Sequence, residues 1–195
     1  MIERKHVVAF LVVYAVGVEM VTRSNLNIAI VSMVKVDDYL VVPSPGPKYD
    51  WSPSTQGLIL GALNIGIVLT QIPAGRLAER FGGKWFCLAG IFVSGLVNVL
   101  TPISAQYLGL MVFSRVILGM AQGLIFPSCV DIIFSWLGRS HAAAMLGLLS
   151  VGAYIGTIFT TLVTGYLCDQ TFLSGWPAAF FLPGSFLLVI LKFFL

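Results

Sequence analysis

Residues 107–136 read YLGLMVFSRVILGMAQGLIFPSCVDIIFSW, a stretch in which only Arg115 and Asp131 carry charge. A bilayer core about 30 Å thick needs roughly 20 apolar residues per helix, so this stretch predicts a spanning helix. The pattern recurs along the chain. Apolar runs of spanning length fall at 7–34, 54–78, 84–105, 107–136, 141–168 and 176–195. The expectation is an all-α membrane protein with six transmembrane helices. Composition agrees, with 58% hydrophobic and 10% charged residues, where a soluble domain carries about 25% charged. That excludes a soluble globular domain and a disordered chain. The 20 Gly and nine Pro are tolerated in membrane helices. A net charge of +3 is too small to point to nucleic acid.

The placement of the charges matters more than their sum. One side of the expected bundle carries Arg4, Lys5, Arg76, Arg80, Lys84 and Arg139, with Lys192 near the final helix end. The other carries Lys35 and Lys48 beside Asp37, Asp38, Asp50 and Asp169. Basic residues accumulate on cytoplasmic loops, so both termini are expected inside. The first run is too long for a signal-peptide core and has no clear small-residue cleavage site, which predicts a retained helix. The longest connection, 35–53, contains Pro43, Pro45, Gly46 and Pro47 and reads as a loop. Tyr49 and Trp51 are expected there as interfacial anchors, and Ser52 or Ser54 as the cap of the second helix. Cys87, Cys129 and Cys168 show no metal-ligand spacing and no obvious disulfide pair, and they read as small packing residues. His6 and His141 fall at expected cytoplasmic helix ends.

A charge inside a bilayer is costly and marks a functional position by default. Glu19 and Arg23 in the first span and Arg115 in the fourth meet that description. Arg23 lies ~24 Å up from Val7 and Arg115 ~12 Å down from Tyr107 at 1.5 Å per residue. With tilted helices the two depths are close. Glu19 and Arg23 share a helix face, and Asn27 extends it. Gln122 shares the face of Arg115. Two helices thus are expected to present an arginine and an amide toward a common interior. A buried guanidinium needs an acceptor, and a carboxylate or phosphate supplies one bidentately. Two arginines and one glutamate leave the site net positive, which favours a small anionic substrate. The plainer alternative is that Glu19 and Arg23 neutralise each other. Asp131 is offset from Arg115 by about 160° and is expected to meet the basic cytoplasmic loop.

Three small-xxx-small pairs are expected to be helix-packing seams. They are Gly57 with Gly61, Gly119 with Gly123, and Gly152 with Gly156. The loop Gly75-Arg-Leu-Ala-Glu-Arg-Phe-Gly-Gly-Lys84 is more specific. Tight glycine turns are expected to flank Glu79 and Arg80, with Gly82 and Lys84 closing the segment. Such charges can bridge helix ends in one conformation and release in another, or simply hold the loop inside. No catalytic constellation, metal cluster or nucleotide loop occurs, so an enzyme, a cofactor and ATP-driven transport are not expected.

These segments resemble the major facilitator superfamily. The Gly75–Lys84 loop is similar to its signature between helices two and three, with Glu79 where Asp is usual. Arg115-x-x-x-Gly-x-x-Gln-Gly123 is similar to its fourth-helix motif. Arg23-Ser-Asn-Leu-Asn-Ile-Ala-Ile-Val-Ser-Met33, Tyr49-Asp-Trp-Ser-Pro-Ser-Thr-Gln-Gly57 and Gln71-Ile-Pro-Ala-Gly75 narrow the resemblance to the anion:cation symporters, which include sialin, the vesicular glutamate transporters and the sodium/phosphate cotransporter-like carriers. The resemblance implies the amino-terminal half of such a bundle, built as two inverted three-helix repeats across 1–195. It implies alternating-access transport of an organic anion or phosphate, with Arg23 and Arg115 as anion ligands, H+ or Na+ as coupling ion, and a second six-helix half as partner. It also implies that Asp131 joins the cluster of Glu79 and Arg80. Sialic acid, glutamate, phosphate and urate-like anions, and plasma, vesicular or lysosomal membranes, are all compatible. Two departures stand out. Val130 replaces a family histidine, which leaves any coupling role of that group in doubt, and the turn after the fourth helix is shortened to Trp136-Leu-Gly-Arg-Ser140. The abrupt end at Phe193–Leu195 keeps a second expectation open, a truncated and non-transporting half.

Overall fold

Ser52 starts the second helix by accepting the Thr55 backbone N–H at 3.2 Å, with Pro53 in the first turn. This satisfies one of the donors that every helix start leaves unpaired, and Pro there costs nothing. The structure, a computed structural model, describes residues 4–35, 46–137, 139–169 and 175–185. Asp37, Asp38, Lys192 and the 186–195 portion of the expected sixth span lie outside the described residues, as do the side chains of Arg4, Lys5, His6, Arg139 and His141. The helices are α1 (Arg4–Met33), α2 (Pro53–Phe81), α3 (Gly83–Ser104), α4 (Leu108–Leu137) and α5 (Arg139–Asp169). A further helical segment covers 178–185. Among the described residues, five helices are long and apolar enough to cross a membrane.

The expected loop at 75–84 is mostly helix. α2 continues to Phe81, and a single residue, Gly82 at φ 88°, separates it from α3. Arg76, Leu77, Ala78, Glu79 and Arg80 are good helix formers, so they extend α2 instead of turning. The reversal falls on Gly82, a residue type that takes a positive φ at no steric cost.

α4 is the hub. It packs along α2 on one side and α3 on the other, while α5 packs along α1. In lipid, helices gain little from burying apolar surface against each other, so close van der Waals contact decides which pairs form. A Cβ at Gly119 would collide with the Leu63 backbone oxygen, one at Gly66 with that of Val116, and one at Gly123 with the Thr70 hydroxyl. These contacts bind α2 to α4. A Cβ at Gly156 would strike the backbone of Gly17, and one at Gly152 would meet Val13, which binds α5 to α1.

The expected seam at Gly57 and Gly61 is corrected. Gly57 has no described atom within 4 Å of where a Cβ would sit. Gly61 has none within 4 Å either, so among the described residues neither Gly57 nor Gly61 meets another helix. The physical reason is the rotation of α2, which turns Gly57 and Gly61 away from α4 and presents Leu63 and Gly66 to it instead. Spacing alone does not say which side of a helix meets a neighbour.

One core cluster joins α1, α3, α4 and α5 through Val12, Val16, Ile91, Ile125 and Leu149. A second gathers Leu26, Met33, Ile59, Met111, Trp176 and Phe180 toward the 46–52 loop. That loop is tied to α1 by backbone hydrogen bonds, Lys35 N–H to Tyr49 O at 3.1 Å and Tyr49 N–H to Met33 O at 2.7 Å. Large exposed apolar side chains line α2 (Val68, Leu69, Ile72) and α5 (Tyr154, Ile158, Leu162).

Candidate anion site

Arg23 projects from the middle of α1 and is half-buried. Its Nη2 donates to Asn64 Oδ1 of α2 at 3.2 Å. The two residues line a cavity of about 270 Å³ with Asn27, Leu26, Ile59, Leu60 and Leu63. A guanidinium and two amides thus converge on one small space, with apolar walls behind them. Arg23 and Asn27 were legible in the sequence. Asn64 was missed, although it interrupts the otherwise apolar run 57–69 of α2, and an amide there is a signal of the same kind as an intramembrane charge.

Glu19 does not join this cavity. It is 3% exposed, and its Oε2 has no hydrogen-bond partner. Among the described residues no ion pair forms within 4.0 Å, so Glu19 and Arg23 are not the neutralised pair considered above. Four residues advance a helix by about 400°, so the two side chains diverge by about 40°. Arg23 reaches toward α2, while Glu19 enters the core within electrostatic reach of Cys129 on α4.

Arg115 lies elsewhere as well. It is fully buried, and Nη2 donates to Thr101 Oγ1 of α3 at 3.2 Å. Its guanidinium stands 5.4 Å from the centroid of Phe180, a cation–π contact. Nε and Nη1 have no partner. Arg115 is not among the residues that line the Arg23 cavity. The expected common interior is corrected to this extent: among the described residues the two arginines do not share one cavity. Gln122 meets Thr22, and Arg115 lies seven residues, ~10 Å, further along α4, so counting from the run ends sets the two arginines too close in level. Gln122 is also buried, with Nε2 donating to Thr22 Oγ1 at 3.2 Å across α4 and α1 and Oε1 unpaired.

Phe180 connects Arg115 to the loop end. Its ring meets Trp176 edge-on at 5.9 Å, Trp176 meets Tyr49 at 6.2 Å, and Tyr49 stacks on Trp51 at 4.8 Å. The Trp176 Nε1–H donates to Pro47 O at 2.9 Å. Tyr49 and Trp51 are thus members of a packed aromatic chain at the loop end. Burial pushes the Tyr49 phenol above its ordinary value. Asn25, unnoticed in the sequence, bridges α5 and the 175–185 region. Its amide donates to Ala179 O and its Oδ1 accepts from Thr164 at 2.7 Å.

At the opposite end Glu79 and Arg80 are exposed, and Arg80 sits over Phe81 at 5.7 Å. Lys84 sits over Trp85 at 6.0 Å, and Gly75 has no described atom near a would-be Cβ. Asp131 does not join Glu79 and Arg80. Its Oδ2 accepts the Gly83 backbone N–H at 2.8 Å. The start of α3 has no side-chain cap of its own, and unpaired N–H groups with the positive end of the helix dipole attract a carboxylate. Nearby, Cys87 and Cys129 lie side by side with sulfurs 3.9 Å apart, both buried and free. The sequence showed no such pairing, because their proximity arises only when α3 docks on α4.

The model of the Major Facilitator Superfamily matches residues 12–195, and the chain belongs to that family. It is an integral, multi-pass membrane protein. The vesicular glutamate transporter 2 of Mus musculus is 29% identical over 98% of this chain and 33% of its own length. The probable small intestine urate exporter of Homo sapiens is 34% identical over 71% of this chain and 28% of its own length. The sodium-dependent phosphate transport protein 3 of Mus musculus is 33% identical over 84% and 38%. By name these are transporters and an exporter, not enzymes. The chain spans about one third of the length of these relatives.

Proposed function

We propose that this chain is the amino-terminal, six-span half of a secondary active carrier of organic anions or phosphate, with both termini cytoplasmic. The observation that carries the reading is the 270 Å³ cavity where Arg23, Asn27 and Asn64 meet inside an otherwise apolar bundle. A half-buried guanidinium with its remaining donors open suits a carboxylate or phosphate better than a sugar or a cation. Arg115 is the second anion ligand in this proposal, its unpaired Nε and Nη1 becoming available when the α3–α4 side opens toward substrate. Glu19 and Gln122 support these ligands from α1 and α4.

The packing supports two inverted three-helix repeats. α4 pairs with α2 through Gly119, Gly123 and Gly66, while α1 pairs with α5 through Gly17, Gly152 and Gly156. Exchanging α1 with α4 and α2 with α5 maps one seam onto the other, as an internal repeat requires. A second six-helix half completes the site, and rocking of the halves exposes it to either face. The segment Gly75–Lys84, with Asp131 clamping the start of α3, forms the cytoplasmic gate. H+ or Na+ drives the cycle.

The test is counterflow in proteoliposomes with glutamate, urate and inorganic phosphate, using this chain alone and the full-length carrier. Saturable uptake of at least one anion, with KM raised by roughly tenfold or more in Arg23→Ala, is the expected result. Unchanged uptake in Arg23→Ala overturns the site assignment. The chain's one-third span of its relatives favours a second reading, a half that does not transport by itself. Uptake by the 195-residue chain without any second half overturns that reading.

A further inference from the structure

We infer that Glu19 is the residue on which this carrier takes up and releases a coupling proton, an inference that rests on the carrier reading above. Glu19 lies near the middle of the spanning part of α1, Val8–Met33. Its side chain is buried, Oε2 has no hydrogen-bond partner, and no described cation pairs with it. An ionised carboxylate in that setting has lost its water and gained only the attraction of Arg23 one turn away, with no hydrogen bond to Oε2. The carboxylic acid has no charge to desolvate, and its O–H is a donor on a seam that holds a spare acceptor. That acceptor is Gln122 Oε1, buried and also unpaired. Thr22 joins the two residues, since its hydroxyl donates to the Glu19 carbonyl at 2.8 Å and accepts from Gln122 Nε2 at 3.2 Å.

The groups around Glu19 define how the proton leaves. On α1 the neighbouring charge is Arg23, one turn along. From α4 the titratable group within electrostatic reach is Cys129, and from α3 Cys87, which touches Cys129. The charged residues of α2 and the described ones of α5 sit at or near helix ends, Arg76, Glu79, Arg80 and Asp169. α1 and α4 meet over a far shorter stretch than α1 and α5, and Gln122 to Thr22 is the side-chain hydrogen bond that joins them. Parting of α1 from α4 admits water, the acid gives its proton to that water, and the resulting carboxylate turns to Arg23. Anion and Glu19 carboxylate then compete for one guanidinium. Protonation of Glu19 frees Arg23 for the anion, so proton and anion bind with positive coupling and travel together.

Two measurements test this. In the full-length carrier, with glutamate, urate and inorganic phosphate each as probe, apparent affinity should weaken by up to about tenfold per pH unit once Glu19 ionises, and the dependence should vanish in Glu19→Gln. A wild-type pH profile in Glu19→Gln overturns the assignment. In lipid vesicles at neutral pH, infrared spectra of this chain should show the carbonyl stretch of an un-ionised carboxylic acid that Glu19→Gln removes. No such band in the wild type, or a band that survives the substitution, overturns the proton site whatever is transported. A band lost on substitution supports it even where none of the three anions binds, in which case it is the carrier reading that fails.

Discussion

Arg23 and Arg115 both carry a guanidinium into the bundle, and their physical situations are opposite. Arg23 stands at an open polar cavity, and its hydrogen bond to Asn64 leaves most of its donors free. Arg115 is sealed between α3, α4 and Phe180, with two nitrogens unpaired. The difference shows that intramembrane charge marks a site without saying how the site is organised. Arg23 presents open donors to a cavity, whereas the unpaired nitrogens of Arg115 are enclosed.

The largest expected effect that sharpens this contrast is Arg115→Ala in the full-length carrier. Two charge-assisted hydrogen bonds at about 1.5–3 kcal/mol each correspond to a loss of more than about 100-fold. Arg115→Lys should recover little, since an ammonium lacks the planar fork. Normal uptake by Arg115→Ala in counterflow breaks the comparison and leaves that residue a packing role. Next comes Arg23→Ala, expected to raise KM by roughly tenfold to 100-fold at about 1.4 kcal/mol per tenfold, with Tm unchanged because the side chain borders an open cavity. A marked fall in Tm would assign Arg23 to the fold instead.

Smaller effects discriminate between the two surroundings. Phe180→Leu removes a cation–π contact of about 0.5–2 kcal/mol, so uptake should drop a few-fold. That drop should be non-additive with Arg115→Ala and additive with Arg23→Ala. Additivity with both would separate Phe180 from Arg115. Smallest is Asn64→Ala, the loss of one hydrogen bond worth about 1 kcal/mol, or roughly fivefold. A double-mutant cycle with Arg23→Ala should show that the two act together.

The helical character and the apolar runs were legible because lipid requires every backbone polar group to be satisfied within its own helix. The ends were less so. α2 ran on through Arg76–Phe81 because helix formers extend a helix until a residue able to reverse it, here Gly82, arrives. Arg23 and Asn27 were read correctly as neighbours, since both lie on α1 one turn apart. Their partner Asn64 was not, because it comes from another helix. Asp131 was assigned to nearby basic residues, yet the start of α3 claimed it. That donor belongs to the backbone and leaves no mark in side-chain composition. Gly57 and Gly61 carry the same spacing as Gly119 and Gly123, yet among the described residues only the second pair meets a neighbouring helix.

The sequence by itself determined that this protein crosses the membrane on apolar helices, which residues bring charge into the bilayer, and which family it resembles. Those properties depend on residue type and on spacing along one helix, which the covalent chain sets. The tertiary structure decided that Arg23 meets Asn64, that Arg115 lies under Phe180, that Glu19 is left without a partner, and which glycines form seams. Each depends on the rotation of one helix against another. In lipid that rotation follows from the sum of many close contacts, such as those at Gly66, Gly119 and Gly156, and no single segment contains it.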